Sequence, residues 1–174
     1  MYCIGADIGR NKPKIFSNDV RVSFPARVGE WRPRRLSSGG NYEVQIDGQK
    51  HFVGDLAAEE SYFTREMASE SKIHQETMIL FYTALALVPT QDSFAVTIGL
   101  PIYQHNQQSK DQLVDLLSRK RMVRINNGLE RQIVIERLGV APEGSGPYWD
   151  DHLTIAGGLK QVDLNGRMHR IIDI

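Results

Sequence analysis

Apolar residues fall in short alternating runs over the first third of the chain and in longer blocks further on. Tyr2 to Ile8 reads as a buried strand running into a turn at Gly9. Pro13 rules out a helix there, so Lys14-Ile15-Phe16-Ser17 predicts a second strand after a tight turn. Asn18-Asp19 is a turn signal, and Val20 to Phe24 alternates as a third strand, which completes an antiparallel meander. Residues 27–40 are polar, basic and rich in glycine, and predict a loop carrying a cationic cluster of Arg32, Arg34 and Arg35. Tyr42 to Ile46 alternates again, Asp47-Gly48 is a hairpin signal, and His51-Phe52-Val53 is the return strand.

The pattern then changes period. Leu56 to about Arg65 has helical spacing. Lys72 to Val88 is the clearest helix, apolar nearly all round in its second half, which predicts burial on most sides until Pro89 ends it. Phe94 to Ile98 is a short buried strand that ends in the turn Gly99-Leu100-Pro101. Ser109-Lys110-Asp111-Gln112 has the form of a capping box before a helix carrying Leu113, Leu116 and Leu117. Strands are expected at Met122–Ile125 and Gln132–Leu138 around Asn127-Gly128, and at 160–164 and 168–174 around Asn165-Gly166. Strands mixed with long helices imply an α/β domain.

Chemistry is suggested where strands end in carboxylates. Ile4-Gly5-Ala6-Asp7-Ile8-Gly9 leads into Arg10-Asn11-Lys12-Pro13-Lys14, and a similar apolar run reaches Asp173 at Ile171-Ile172-Asp173-Ile174. Asp-x-Gly, a tight turn and a lysine can hold a phosphate and Mg²⁺, because backbone N–H groups face the anion and the carboxylate holds the metal through water. The same residues would also make a capped hairpin with solvated lysines. Glu143, in a turn after a strand, is placed either to orient an attacking water or simply to be solvated. The five histidines show no metal-ligand spacing. Trp31 and Trp149 read as packing anchors.

Composition narrows the class. Of 174 residues, 41% are apolar and 24% charged, and 21 Lys/Arg balance 21 Asp/Glu, which argues against a large nucleic-acid footprint. Cys3 is the single cysteine, so no disulfide forms within the chain, and its strand position predicts a buried, inert thiol. No segment is apolar enough to span a bilayer, and a cytoplasmic protein is expected.

Taken in order, several segments resemble the N-terminal domain of the prokaryotic actin-like proteins, in particular the plasmid-segregation ParM-like branch. They are Ile4–Gly9 with Lys14, Phe24-Pro25, Phe52-Val53-Gly54-Asp55-Leu56-Ala57, Glu76–Leu87, Val96–Pro101, Pro142-Glu143-Gly144 and Ile171–Ile174. The resemblance implies a ribonuclease-H-like (actin-like) α/β domain over residues 1–174, with a mixed five-stranded sheet, flanking helices and a small inserted subdomain at about 41–62. It implies ATP (or GTP) and Mg²⁺ as cofactors. Asp7 would hold Mg²⁺ through water, Gly9, Arg10 and Asn11 would form the phosphate turn, and Lys14 would be the phosphate lysine. Glu143 would position the hydrolytic water, and Asp173, matching the first aspartate of the phosphate-2 loop, would be catalytic and would also hold Mg²⁺ through water.

Arg10 and Lys12 stand where the family usually carries small residues, and Pro13 precedes the lysine. The parent protein would be a filament-forming ATPase that segregates plasmid or phage DNA, self-associating and served by a DNA-binding adaptor. Alternatives are a small-molecule kinase or phosphotransferase lobe of the same superfold, or an interaction module that keeps the fold without the chemistry. The second lobe is expected to lie outside this sequence. These 174 residues alone are therefore expected neither to hydrolyse ATP nor to polymerise on it, and measurable turnover by the purified chain would overturn that expectation.

Overall fold

The computed structural model describes residues 1–33, 40–62, 64–66 and 71–146. Ten strands form one continuous mixed sheet in the order β3-β2-β1-β8-β10-β9-β5-β6-β4-β7. The first half comprises β1 (Tyr2–Ile8), β2 (Pro13–Phe16), β3 (Arg21–Ser23), β8 (Ser93–Leu100) and β10 (Arg131–Pro142). The second half adds β4 (Arg27–Glu30), β5 (Tyr42–Ile46), β6 (Gln49–Val53), β7 (Thr64–Glu66) and β9 (Arg121–Ile125). The expected five-stranded sheet is corrected to ten strands. The extra strands arise because β10 is long enough to pair with β8 along one stretch and with β9 along another.

The meander β1–β2–β3 is antiparallel, as its turn residues imply. β1, β8 and β10 run parallel, Ile4 lying opposite Val96 and Leu138 also opposite Val96 on the other side. Ile4, Ala6, Ile8, Phe94, Val96, Ile98 and Leu100 are all buried on one face. Cys3 lies on the other face and is exposed, which corrects its expected burial. It is an odd-numbered residue in a strand whose even-numbered residues point inward.

Helix α2 (Gln75–Ala86) packs on this face, against strands from both halves of the sheet. Every residue from Thr77 to Ala86 is buried, which explains its apolar circumference. Helix α3 (Gln107–Leu117) packs on β10 and α2 through Leu113 and Leu117. Its cap is Asn106, whose side chain accepts from the Ser109 N–H at 2.9 Å, not the expected Ser109 box. Tyr82 of α2 donates to the Leu117 carbonyl at 2.8 Å and to that of Arg119. Burial pushes its hydroxyl up to about 12.

Two further expectations are corrected. The segment 27–40, read as a loop, begins with β4, whose Val28 and Gly29 are buried between β6 and β7. The helix expected to about Arg65 is α1 (Asp55–Glu60), a short helix followed by β7. The hairpin at Asp47-Gly48 forms as read, with φ of 47° and 86°, the pair of positive values a type I′ turn requires. β5 also pairs with β9, which joins this hairpin to the main sheet. Trp31 packs against Phe52, Leu56 and Ala57 as an anchor, while Trp149 lies outside the described residues.

Arg131 closes the end of α2. It donates to the carbonyls of Ala86 (2.8 Å), Val88 (3.1 Å) and Gln91, and pairs with Asp92 at 2.8 Å. The Ala86 carbonyl is one that the helix end leaves without an intrahelical partner, and those of Val88 and Gln91 belong to the turn that follows. Arg131→Ala is expected to lower stability by about 1–3 kcal/mol, read as a fall in the urea midpoint with an unchanged slope. A midpoint unmoved by the substitution would show the cap to be dispensable.

Candidate functional site

Parallel strands put their carboxyl ends at one edge of a sheet, and ligands gather in the crevice outside them. Here β1, β8 and β10 deliver Asp7, Gly99 and Glu143 to that edge. The Glu143 N–H donates to the Leu100 carbonyl at 2.9 Å, which ties the turn after β10 to the end of β8. Gly99 makes room for it, since a methyl group there would lie 3.1 Å from Glu143 Cγ.

Lys72 joins the three ends. It stands just before α2, and only 7% of the residue is exposed. Its Nζ donates to Asp7 Oδ1 at 3.3 Å and to the Gly99 carbonyl at 3.3 Å, and it pairs with Glu143 Oε1. A buried ammonium is costly unless it is paired and hydrogen-bonded, and here it is both. Its carboxylate partners remain open to water, with side chains 47% (Asp7) and 34% (Glu143) exposed. The chemistry that results is a fixed cation flanked by two reachable carboxylates at the mouth of a crevice.

The structure brings Asp7 and Glu143 together. Gly9 lies beside Asp7, since a methyl group on it would sit 3.7 Å from Asp7 Oδ2. Arg10 and Asn11 are exposed in the following turn, held by a bond from the Ala26 N–H to the Asn11 carbonyl at 2.8 Å. Lys14 is exposed on β2, across the ladder from Asp7, yet the ion pair of Asp7 among the described residues is with Lys72. Asp173 lies outside the described residues.

Lys72 was not singled out by sequence reasoning. It follows Ser71 with no motif around it, and its partners are 65 and 71 positions away (Asp7 and Glu143). The one available signal was a lysine at the head of the most apolar helix in the chain, where a charge has to find a partner.

No group of three His, Cys, Asp or Glu residues is placed to hold a metal among the described residues. Asp7 fits the lesser demand of Mg²⁺, which keeps most of its waters and takes one or two carboxylates alongside phosphate oxygens. No helix among the described residues is long and apolar enough to cross a membrane.

Comparison with known proteins bears on the fold that carries these residues. The family model for the N-terminal domain of actin-like proteins matches residues 5–146. Among solved structures, the chain resembles the apo pSK41 ParM protein with a TM-score of 0.74 and 16% identity, over 88% of this chain and 53% of that one. An AlfA filament bound to AMPPNP matches with a TM-score of 0.67 and 19% identity, over 88% and 58% of the respective chains. The archaeal actin homologue Ta0583 in complex with ADP matches with a TM-score of 0.68 and 20% identity, over 87% and 47%. The chain thus spans about half the length of these structures. No curated protein matches it closely enough to show kinship.

A double-mutant cycle of Lys72→Gln and Glu143→Gln is expected to give a coupling of about 1 kcal/mol in urea unfolding, because the pair is tight on one side and wet on the other. A coupling near zero would remove Lys72 from the centre of the site.

Proposed function

This chain belongs to the actin-like proteins through their N-terminal domain, and from that premise we propose that its crevice holds the phosphates of ATP or GTP with Mg²⁺. In this reading it is one lobe of a nucleotide-dependent, filament-forming ATPase. The observation that carries the reading is the convergence of Asp7, Lys72 and Glu143 where three parallel strands end. Nucleotides in the neighbouring AlfA and Ta0583 structures, and the filament form of AlfA, lend it support.

Each residue has a definite task. Backbone N–H groups of the turn at Gly9, Arg10 and Asn11 face the phosphates. Lys72 offers its ammonium to the terminal phosphate, exchanging one carboxylate partner for another anion of higher charge. Lys14 reaches the same phosphates from β2. Glu143 orients a water for in-line attack and holds its proton as it reacts. Asp7 would hold Mg²⁺ through water, with Asp173 as the second carboxylate of that set. The metal, when bound, neutralises charge that develops on the phosphate oxygens. Nucleotide state then sets the stability of the filament. The whole protein acts in the cytoplasm, segregating plasmid or phage DNA with a DNA-binding adaptor.

The test uses the full-length protein and a fluorescent ATP analogue with Mg²⁺. Asp7→Asn and Lys72→Gln are each expected to weaken binding at least tenfold, about 1.4 kcal/mol or more. Glu143→Gln is expected to keep binding and to slow hydrolysis by roughly 10²-fold. Unchanged affinity in both binding variants would sink the nucleotide reading. ATP-dependent light scattering separates a filament former, which scatters, from a monomeric phosphotransferase, which does not.

A further inference from the structure

Lys72 holds the two crevice carboxylates before any ligand does. An ammonium has three N–H donors, and three acceptors meet this one: Asp7 Oδ1 at 3.3 Å, the Gly99 carbonyl at 3.3 Å and Glu143 Oε1. Its hydrogen bonding is complete without a ligand. Among the described residues, no other cation pairs with either carboxylate.

Two carboxylates that turn an oxygen to the same nitrogen are also placed to share a different cation. Mg²⁺ is satisfied with one or two carboxylates and keeps most of its waters, and both of these side chains are open to water. Charge decides between the two cations. One ammonium beside two carboxylates leaves a single net negative charge to attract a metal. The metal would also meet the ammonium itself at close range, beside protein of low dielectric, where like charges repel far more than in water.

The ammonium has no easy way out. Its side chain is only 8% exposed, so it cannot turn into solvent, and it can leave its partners only for another anion. A phosphate is such an anion, with more charge and more acceptor oxygens than either carboxylate. It also brings the metal oxygens of its own.

We propose that Lys72 is a metal gate. Without a ligand, its ammonium stands between Asp7 and Glu143 where a divalent cation would bind, and it keeps free Mg²⁺ out. Phosphate draws the ammonium off, so the metal is admitted with the nucleotide and not ahead of it. The exclusion stands on the ion cluster alone, and the release rests on the nucleotide reading of the crevice.

The test titrates the full-length protein with Mn²⁺, which shares the preference of Mg²⁺ for oxygen ligands, and follows the loss of the free-ion EPR signal. Without nucleotide, the parent is expected to bind Mn²⁺ only weakly. Lys72→Gln is expected to bind it roughly tenfold more tightly or better, with Mg²⁺ competing, because two neighbouring carboxylates left without a cation repel each other. Lys72→Met, which keeps the length of the stem, is expected to do the same and serves if the glutamine variant does not fold. Lys72→Arg keeps the charge and is expected to stay closed. Adding Asp7→Asn to Lys72→Gln is expected to return binding to the parent level. A gain in metal affinity beside a loss in nucleotide affinity is a pair of signs that general loss of structure would not give. The inference is overturned if the nucleotide-free parent already binds Mn²⁺ as tightly as Lys72→Gln, or if neither neutral variant gains affinity. In the parent, a non-hydrolysable ATP analogue is expected to open the Mn²⁺ site. A parent that stays closed with the analogue, while Lys72→Gln opens without it, upholds the exclusion and counts against the nucleotide reading instead.

Discussion

Parallel pairing of β1 with β8, and of β8 with β10, is the constraint on which the site depends. Strands that run the same way finish at the same edge, so residues 7, 99 and 143, far apart in the chain, become neighbours without any contact of their own to bring them together. Connections between parallel strands must cross the sheet, and here the crossover from β1 to β8 ends in α2, which is buried along its length. The lysine just ahead of that helix is therefore carried to the same edge.

What the lysine does there follows from electrostatics. An ammonium shut away from water needs anionic partners, and an anionic ligand that enters such a crevice offers better ones than a pair of half-hydrated carboxylates. The resting arrangement stores the cation in place without committing it. Under the proposed nucleotide reading, the two carboxylates would be left to serve metal and water once phosphate takes over the charge. Nothing in this exchange needs a large movement of the backbone, because the participants already sit at strand ends.

Much of the sheet could be read from residue pattern, because its segments carry one clean period each. β1 and β2 with their proline-bearing turn, the Asp47-Gly48 hairpin and the apolar core of α2 are examples. β4 escaped because Arg27 and Glu30 frame only two buried residues, and its burial comes from β6, β7 and α1 rather than from its own composition. The cap of α3 escaped because two polar residues three apart, Asn106 and Ser109, both look like caps, and only the backbone decides which one accepts. Asp7 and Glu143 could be nominated because each follows an apolar strand. Lys72 could not, since its meaning lies in partners that only the topology supplies. Asp173 falls outside the described residues.

β10 carries an irregularity that decides where Glu143 lands. Its register against β8 slips between Ile135 and Arg137, so Ile135 lies opposite Phe94 while Leu138, three positions on, lies opposite Val96. Odd-numbered residues such as Ile133 and Ile135 face the core before the slip, and even-numbered Leu138 and Val140 pack against it afterwards. One supernumerary residue, Glu136, thus reverses the parity of the strand. A strand of strict alternation would finish one place out of phase, with Pro142 at the height that Glu143 now occupies and the carboxylate turned to the opposite face. The address of the crevice glutamate is written as a count of residues, seven positions upstream of it.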